Sequence, residues 1–466
     1  MVLWDKKYRT ILLVSVILLL FLITAAGLIF FKSKIMPSAR GPNIILIVID
    51  CLRADHVGYF GYTRNTTPYL DELAKSGVVF KNAYSNAPWT KPSVVSMLTS
   101  LLPNEHGAVN YNDALPDEYV TLGEIMGKLG YETLFFNGGN PWIKQKFNIP
   151  QGFQIQYHAI SRAEELTDNF LSVIRETNKK FFAYLHYMDA HVPYHQNRYT
   201  LMYTTSNNDD FVPGSITYSK VEQSMRSGKL TAQAKEYLEA LYDGQVRYVD
   251  MNIHRVMNFL KEQGLLDNTL IIITSDHGEE FWDHGNFEHG HSLYNELLKV
   301  PLIITGRNLT HKKIDDNIRL IDIAPTVVEL AGQATTSYDF SGKSLMGLME
   351  GKKEEEQRPV FAMGTFYNKE KFCYIDSGNL KVTLNTGVQT GKLNRLLPGN
   401  QEKPEKEFYN LDVDPLEEDS VLTDSEKLEL EKKLEAQMRL PKKFDKKEVS
   451  IDPELEDKLR TLGYLQ

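Results

Sequence analysis

Unbroken runs of apolar residues, without polar alternation, predict the strands of this chain. The run NIILIVID at residues 43–50 is nearly all Ile, Leu and Val, which predicts a strand buried on both faces of a parallel sheet. Similar runs occur at residues 133–137, 181–189, 269–277 and 301–306. Helical patterns lie between them, at residues 67–76, 121–129, 162–177 and 231–262. Strands that alternate with helices predict an α/β domain with a mostly parallel sheet flanked by helices.

One apolar run is far longer than a strand and lies at the N-terminus. Residues 11–31 carry no charge, and as a helix rising about 1.5 Å per residue they would span about 30 Å, the thickness of a bilayer core. This length favours a single-pass anchor, while Ala25 and Ala26 leave open a cleaved signal peptide, whose apolar stretch is shorter. Basic residues flank both ends, so charge does not orient the anchor. With no second span, the rest of the chain is predicted to lie on one side of the membrane.

Two further segments depart from the α/β pattern. Residues 195–227 are polar and aperiodic, and they are predicted to form either an active-site cap, a mobile loop or a disordered insertion. Beyond Gly332, charged runs, short strand-like pieces and a helical pattern at 425–438 indicate a smaller α+β subdomain. The predicted organisation is an anchor and linker at 1–41, a main domain at 42–340 and a C-terminal subdomain at 341–466.

Charge and cysteine content exclude some functions. The formal net charge is −9 at pH 7, which argues against nucleic acid as a partner, because binding to a phosphate backbone needs basic patches. The two cysteines, Cys51 and Cys373, lie far apart and form neither a disulfide framework nor a zinc-type spacing. The composition does not indicate an oligomeric state.

Acidic residues follow three of the predicted strands. Asp50, Asp189 and the pair Asp276–His277 each come directly after an apolar run. Ligands of open α/β sheets bind beyond the carboxyl ends of the strands, so these side chains are predicted to meet in one crevice. Charged groups at the edge of a core need a partner, and a divalent cation is suited to that role.

The segment APWTKPSVVSML places Thr90 immediately before a predicted helix. Thr is a good N-cap and Pro92 suits the first helical turn, so an ordinary capped helix is one interpretation. The functional alternative is that the Thr90 hydroxyl is a nucleophile. A metal and the helix dipole would lower its pKa, and the free N–H groups of the first turn would bind the transferred anion.

Several blocks of the sequence resemble, in order, the motifs of the sulfatase family of the alkaline phosphatase superfamily. They begin with IVIDCLRADHVGYFGYTRNTTPYLDELAKSGVVFKNAYSNAPWTKPSVVSMLTSLLPNEHG at residues 47–107. FFAYLHYMDAHVPY, TSDHGEEFWDHGNFEHGHSLYNELLKVPLII, LIDIAPTVVELAG, EFYNLDVDPLEEDSVL and LRTLGYL follow. The resemblance covers residues 43–465 and implies an alkaline phosphatase-like fold and a metal-dependent ester hydrolase or phosphotransferase.

The nucleophile position departs from the sulfatase pattern. Where sulfatases carry C/S-x-P-S-R, this chain has Thr90-Lys91-Pro92-Ser93-Val94. Oxidation of a secondary alcohol gives a ketone, so the formylglycine of sulfatases is excluded. Asn137 and Asn140 stand where sulfatases have a K-x-H segment, which also argues against the usual sulfate chemistry.

The metal ligands implied by the resemblance are Asp50, Thr90, Asp276 and His277. Cys51 replaces the second aspartate of calcium sulfatases, and His277 replaces an asparagine. Nitrogen ligands and fewer carboxylates favour one Mn²⁺ or Zn²⁺ ion over Ca²⁺ or Mg²⁺. The set is similar to those of phosphonate monoester hydrolases, phosphoethanolamine transferases and lipoteichoic acid synthases, of which the transferases use a metal-bound Thr.

The resemblance also implies roles in binding and proton transfer. His191 matches the histidine that contacts the transferred anion, and His289 and His291 lie where sulfatases carry a substrate-binding Lys. Either His191 or one of the other two, with His291 preferred, would protonate the leaving alcohol. Asp189 and Lys91 are further substrate-binding candidates, Lys91 being equally compatible with a solvated surface position. A second metal held by Asp189, His191 and one of the later histidines is a weaker alternative.

The predicted function is therefore a membrane-anchored enzyme that cleaves phosphate or sulfate esters through a covalent Thr90 intermediate. The intermediate would pass to water or to an acceptor hydroxyl. The anchor favours lipid head groups or glycans as substrates beside small molecules, and the family implies that the catalytic domain lies outside the cytoplasm. The alternatives are a sulfuric ester hydrolase that works without formylglycine, and a noncatalytic protein that binds sulfated or phosphorylated glycans.

Overall fold

This computed structural model describes residues 39, 41–205, 208–306, 309–354, 358–365, 369–389, 405–419 and 422–461. The anchor predicted at residues 11–31 lies outside these ranges. Within them, none of the helices combines the length and the apolar character needed to cross a membrane.

The larger of the two main sheets contains all five strands predicted from apolar runs. Its strands in chain order are β1 (Asn43–Ile49), β2 (Val78–Tyr84), β4 (Glu132–Asn137), β5 (Ile155–His158), β6 (Phe181–Tyr187), β7 (Thr269–Thr274), β10 (Lys299–Gly306) and β11 (Lys312–Arg319). Their order across the sheet is β11-β2-β10-β7-β1-β6-β4-β5. Only β10 is antiparallel to its neighbours, β7 and β2, so the predicted mostly parallel sheet is confirmed.

Helices cover both faces of this sheet. In chain order, the α-helices of the described residues are α1 (Pro68–Ser76), α2 (Thr90–Thr99), α3 (Pro103–His106), α4 (Leu122–Lys128), α5 (Ala163–Glu176), α6 (Tyr218–Arg226), α7 (Ala232–Glu262), α8 (Asn295–Leu298), α9 (Ile323–Leu330), α10 (Met346–Glu350), α11 (Asp424–Met438) and α12 (Pro453–Thr461). The four helices predicted between the strands are α1, α4, α5 and α7, each of which begins one residue after its predicted start, and the helix predicted at 425–438 is α11.

The two faces of the sheet form two separate cores. Along β1, Ile44 and Leu46 face one core together with residues of α2, α4 and α9. Ile45 and Ile47 face the other core with residues of α5 and α7. All seven residues of β1 are buried, which explains why its sequence shows no polar alternation.

The polar segment at 195–227 is built into the second core. It contains a 3₁₀ turn at Thr200–Met202 and helix α6, and Phe211, Ile216 and Val221 are buried among core residues. Three buried apolar anchors in one segment exclude the disordered-insertion alternative for its described part.

Four antiparallel strands form a second sheet near the C-terminus. They are β12 (Val360–Gly364), β13 (Lys369–Ile375), β14 (Leu380–Gln389) and β15 (Glu405–Asn410), in that order. Helix α11 packs on one face through Leu430 and Leu434, and the other face shares a buried cluster with Tyr84 and Leu293. The division of the chain at residue 341 stays a prediction. Two short ladders complete the strands: β3 (Asp113–Ala114) pairs with β16 (Lys447–Glu448), and β8 (Glu280–Phe281) pairs with β9 (Phe287–Glu288).

Candidate active site

The candidate site lies where the central strands of the large sheet end. β7, β1 and β6 are adjacent and parallel, so their carboxyl ends share one edge. Asp50 follows β1, Asp276 and His277 follow β7, and α2 begins beside them at Thr90. All four side chains are buried. The structure thus brings together the four residues implied as metal ligands.

The Thr90 hydroxyl lies between the imidazole and amide groups of this cluster. Its Oγ1 is 3.3 Å from Nε2 of His277, and Asn140 Nδ2 donates to it at 3.1 Å. The same His277 nitrogen lies 3.6 Å from Asp50 Oδ1 and 3.5 Å from Asp276 Oδ2. Asn140 also donates to Asp50 Oδ2 at 2.8 Å, so one amide orients both the hydroxyl and a carboxylate.

Thr90 is the first residue of α2 and not its cap. The N-cap is Trp89, whose backbone is extended and whose side chain makes no capping hydrogen bond. The Thr90 hydroxyl contacts His277 and Asn140, so the capped-helix interpretation is wrong. The Ser93 hydroxyl donates to the main-chain oxygen of Asp276 at 2.6 Å, which ties the start of the helix to the end of β7.

Burial and mutual charge set the protonation of the cluster. Burial alone would raise the pKa of Asp50, but the hydrogen bond and charge of His186 outweigh it, so this pKa falls below its usual range. Burial and the neighbouring Asp50 charge raise the pKa of Asp276. Burial opposes a charged His277, yet the charges of Asp276 and Asp50 prevail and raise its pKa.

The donor set fits a divalent cation. Ligand atoms of Asp50, Cys51 and His277 lie within 4.8 Å of one another, as do those of Asp50, His186 and Asp276. Asp276 Oδ2 is buried and has no hydrogen-bond partner among the described residues. Within the same part of the chain, Asp50 and Asp276 form ion pairs with histidines only. Two buried carboxylates that lack Lys or Arg partners need a cation.

His186 is a residue of this site that the sequence analysis missed. It is fully buried within β6, its Nε2 is 2.8 Å from Asp50 Oδ2, and its Nδ1 is 2.8 Å from the Tyr184 hydroxyl. A carboxylate only accepts, so Nε2 carries a proton, while Nδ1 shares a hydrogen bond with the hydroxyl. His186 therefore orients Asp50 by donating a hydrogen bond to it. A Tyr–His–Asp chain of this kind holds metal ligands in place.

A second group of ligand atoms adjoins the first. Cys51 Sγ lies 3.2 Å from Asp50 Oδ1 and 3.6 Å from His289 Nδ1. The His289 ring lies 4.4 Å from that of His277 and 4.9 Å from that of His191, measured between centroids. Burial lowers the pKa of His191 to about 4, so its imidazole is neutral at neutral pH. Of the two later histidines, it is His289 that joins the cluster.

Glu279 is a further buried acid that the sequence analysis did not select. Its Oε1 is 2.9 Å from His289 Nδ1, and its Oε2 accepts from the Tyr194 hydroxyl at 3.0 Å. Burial raises the pKa of this carboxyl to about 7. Its position in the D-H-G-E part of the block quoted above is the sequence feature that could have identified it.

Lys91 is neither a solvated residue nor a ligand for an anion. Its side chain is fully buried, and Nζ donates to the main-chain oxygens of Asn110, Tyr111 and Asp113 at 3.0, 2.7 and 3.0 Å. Nζ also lies 3.8 Å from the centre of the Phe147 ring. All three N–H donors are used inside the protein, which corrects both predictions for this residue.

Asp189 and His291 lie apart from the Thr90 cluster in their contacts. Asp189 Oδ1 accepts from Arg162 Nε at 2.8 Å, and the carboxylate belongs to none of the groups of metal-ligand atoms found among the described residues. His291 Nε2 pairs with Glu280 Oε2 at 2.6 Å, and the ring likewise belongs to none of these groups. The second metal site with Asp189 as a ligand stays a prediction.

The fold and this buried cluster define an ester-hydrolysing enzyme of the alkaline phosphatase-like α/β class. The crystal structure of the phosphonate monoester hydrolase of Agrobacterium radiobacter superposes with a TM-score of 0.67 at 18% sequence identity, over 85% of this chain and 96% of that one. A likeness at this identity shows the fold.

The sequence comparisons give the family. A family model described as Sulfatase matches residues 42–333, and a second, N-sulphoglucosamine sulphohydrolase, C-terminal, matches residues 282–443. The chain belongs to the sulfatase family, as its motifs indicated. An arylsulfatase of Clostridium perfringens is 24% identical over 83% of this chain and 91% of its own length. A Delta 4,5-hexuronate-2-O-sulfatase of Bacteroides thetaiotaomicron is 24% identical over 82% of this chain and 85% of its own.

Proposed function

We propose that this protein is a metal-dependent phosphoric ester hydrolase or phosphotransferase that works through a covalent Thr90 intermediate. One observation carries the proposal: the Thr90 hydroxyl is buried at the start of α2, 3.3 Å from His277 Nε2 and 3.1 Å from Asn140 Nδ2. The hydroxyl is buried, does not cap its helix, and contacts an imidazole that lies beside two buried carboxylates, which supports a role as the nucleophile.

One divalent ion would be held by Asp50, Thr90, Asp276 and His277. Mn²⁺ or Zn²⁺ is preferred because an imidazole replaces a carboxamide oxygen among these ligands. Once bound there, the ion supplies Lewis-acid polarisation of the ester and neutralises its nonbridging oxygens. His186 and Asn140 keep the Asp50 carboxylate fixed through hydrogen bonds of 2.8 Å each. Such fixed outer partners preserve ligand geometry during turnover.

The reaction proceeds in two displacements. Thr90 Oγ1 forms a bond to phosphorus as the bond to the leaving alkoxide breaks, and the hydroxyl proton passes to the Asp276 carboxylate, whose pKa is raised by burial. The leaving oxygen takes up a proton as it departs. Water or an acceptor hydroxyl then attacks the phosphothreonine, and Oγ1 leaves and regains its proton. The first acceptor gives hydrolysis and the second gives transfer.

Sulfuric esters are the second candidate substrate class. The names of the relatives, an arylsulfatase and a hexuronate 2-O-sulfatase, favour sulfate. Against it stands the nucleophile, because Thr90 cannot be converted to the formylglycine with which sulfatases turn over their sulfate esters. A noncatalytic binder is disfavoured because Asp50, Thr90, Asp276 and His277 remain together.

Anchoring by residues 11–31 would keep the enzyme at a membrane with its catalytic domain outside the cytoplasm. That position suits lipid head groups or glycans that carry phosphate esters. The length and lack of charge of this segment support the proposal.

The test is an activity screen of the full-length protein in detergent, loaded with Mn²⁺ or Zn²⁺. Aryl phosphate, phosphodiester, phosphonate and sulfate esters are compared, and acid-quenched samples are searched by mass spectrometry for a phosphoryl adduct on the peptide that contains Thr90. We expect phosphorus esters to be preferred, the adduct to appear on Thr90, and Thr90→Ala to lose at least about 10³-fold in kcat/KM.

Thr99→Ala is the matched control. Thr99 is the last residue of the same helix, it is also buried, and its hydroxyl donates to the Val95 main-chain oxygen at 2.7 Å. It should retain activity. Sulfate turnover that exceeds phosphorus-ester turnover would replace the first candidate by the second. Turnover that survives Thr90→Ala would refute the threonine mechanism for both.

A further inference from the structure

A cleft separate from the Thr90 cluster lies over one face of the large sheet. Its volume is about 680 Å³, which falls within the range of about 300–1,000 Å³ that is typical of small-molecule sites. Side chains of the neighbouring strands β11, β2 and β10 form its floor, and the turn at residues 54–60 and the segment after β15 contribute to its walls. Among the described residues that line this cleft, none belongs to the group of Asp50, Thr90, Asp276 and His277. A ligand in the cleft would therefore not contact the Thr90 hydroxyl.

Alternation along the strands turns three lysines into this cleft. Val79 and Lys81 are two residues apart in β2, so they share a face of the sheet. Lys313 of β11 is directly paired with Val79, and Lys299 begins β10 on the other side of β2. The ammonium groups of Lys81, Lys299 and Lys313, here called the lysine floor, therefore line one cleft.

Two of these ammonium groups have no acidic partner among the described residues. Lys81 Nζ pairs with Asp315 Oδ1 at 2.6 Å. The side chain of Lys299 is half-buried, yet within the described part of the chain it forms no hydrogen bond and no ion pair. Lys313 Nζ lies 4.9 Å from the centre of the Tyr59 ring and has no ion pair within the same ranges. An ammonium group that burial has partly desolvated, and that no carboxylate compensates, favours the binding of an anion.

Acidic side chains that line the cleft with these lysines already have cationic partners. Arg53 donates to the Asp55 carboxylate at 2.7 and 2.8 Å and to the Asp283 carboxylate at 2.7 and 3.0 Å. The Glu296 carboxylate pairs with His284 at 2.7 Å. These three acids are therefore not available to neutralise the unpaired lysines.

The walls of the cleft add apolar surface to the lysine floor. Tyr59 and Phe60 come from the turn after β1, and both are half-buried. Leu416 comes from the segment after β15 and is 68% exposed. The acids of that segment, Asp412 and Glu418, are exposed, so water and salt screen their charge. The cleft therefore offers both ammonium groups and apolar carbon to one ligand.

We infer that this cleft is a noncatalytic binding site for a small organic phosphate, whose phosphate group lies on the lysine floor. A phosphate monoester carries about 1.5 to 2 negative charges at pH 7, so it matches several ammonium groups better than a single carboxylate does. Lysine binds phosphate as a compact point charge, without the planar geometry of arginine. The volume of the cleft leaves room for the organic part to pack against the apolar walls.

The electrostatics of Lys299 fit this assignment. Burial and the neighbouring charge of Lys81 lower the pKa of Lys299, and the Asp55 carboxylate opposes this shift only in part. A phosphate group beside Nζ would favour the charged amine and raise that pKa. The site goes beyond the proposed function, because binding there needs neither the Thr90 hydroxyl nor a metal ion.

The test is calorimetric titration of benzylphosphonate into the full-length, metal-loaded protein in detergent. Benzylphosphonate places an apolar ring beside a phosphonate anion, and it contains no ester bond that the protein could cleave. We expect one binding event that depends on the lysine floor, beside any event at the metal. Lys299→Met should weaken that event at least about tenfold, which corresponds to one lost hydrogen bond to a charged group. Inorganic phosphate should bind there more weakly than benzylphosphonate, and benzyl alcohol should not bind.

Lys313→Met is the second variant, and Lys312→Met is the matched control. Lys313 is exposed, so its replacement tests the site even where Lys299→Met fails to fold. Lys312 precedes it in β11, so its side chain points to the other face, where Nζ donates to the Met349 main-chain oxygen at 3.0 Å. Lys313→Met should weaken the same binding event, whereas Lys312→Met removes an equal charge and should leave it unchanged.

Two results would overturn the inference. The first is benzylphosphonate binding that stays unchanged in both Lys299→Met and Lys313→Met, and the second is an equal loss of binding in Lys312→Met. Inorganic phosphate that binds as tightly as benzylphosphonate would refute the role of the apolar walls. The measurement involves no turnover, so its outcome is independent of whether Thr90 is the nucleophile.

Discussion

Replacing Lys91 by methionine tests whether this lysine stabilises the fold or serves the substrate. Met has nearly the same length and keeps the apolar contact with the Phe147 ring, but it has no hydrogen-bond donor. The main-chain oxygens of Asn110, Tyr111 and Asp113 would lose the donor that now lies 2.7 to 3.0 Å away. The carbonyls belong to residues 110–113, a loop beside the start of β3, so the fold around this loop should weaken.

The expected loss is about 3 kcal/mol in the free energy of unfolding. Each buried acceptor left without its donor costs about 1–3 kcal/mol. Removing the ammonium offsets part of this loss, because a buried charge itself destabilises the folded state. Burial accordingly lowers the pKa of Lys91 well below the usual value. Three unpaired acceptors would together cost at least about 3 kcal/mol, and the offset from the removed ammonium keeps the expected net loss near that lower bound.

The assay is equilibrium unfolding in urea, followed by tryptophan fluorescence, with the metal concentration held constant. Lys447→Met is the control, because Lys447 Nζ pairs with Asp117 Oδ1 at 3.0 Å and the two side chains are 40% and 76% exposed. An exposed pair of this kind should cost no more than about 1 kcal/mol. A loss of less than about 1 kcal/mol for Lys91→Met would refute the structural role. Wild-type stability with turnover reduced more than about tenfold would instead assign Lys91 to the substrate.

Two further predictions concern His186 and His284. His186→Phe removes the N–H that donates to Asp50, so we expect Mn²⁺ affinity to fall about 10- to 100-fold in a metal titration, and an unchanged affinity would contradict the orienting role. Burial alone would lower the pKa of His284, but the Glu296 carboxylate, 2.7 Å from Nδ1, raises it to about 9. The folded state therefore holds this proton more tightly than the unfolded state does. The pair adds at most about 3 kcal/mol to the free energy of unfolding below pH ~6.5, and this contribution is lost as the pH rises through about 9. The stability curve of His284→Gln should lack that fall between pH ~6.5 and 9, whereas a curve parallel to wild type would count against the pair.

Central strands could be predicted from the sequence, and edge strands could not. β1, β4, β6, β7 and β10 have apolar neighbours on both faces, and their sequences are correspondingly uniform. The edge strands β11 and β5 read KKIDDNIR and IQYH, because an edge faces solvent and tolerates charge. β2 was missed for a related reason, since Lys81 is exposed and interrupts its apolar run.

The site was predictable where residues follow a strand and not where they depend on helix geometry. Asp50, Asp276 and His277 meet because their strands are parallel neighbours. Successive residues of a helix point about 100° apart, so a helix that turns Thr90 into the cluster must turn Lys91 elsewhere. Only the orientation of α2, which the sequence does not reveal, shows which of the two faces the carboxylates.

His186 was missed because a single polar residue in an apolar strand does not by itself indicate a functional site. Its signal was its spacing from Tyr184, since residues two apart in a strand share a face. The acceptor on that face, Asp50, comes from the neighbouring strand β1, which a reading along one strand cannot show.

The histidines of the site differ in which substitutions would remove the hydrogen bond that orients each ring. His191 and His277 are held through Nδ1 by main-chain oxygens, of Val192 and Gly278, which no side-chain substitution can delete. His289 depends on the carboxylate of Glu279, which a single codon change can remove. Sequence drift that alters the geometry of this site should therefore begin at the His289–Glu279 pair, and this pair is the most adjustable position for protein engineering.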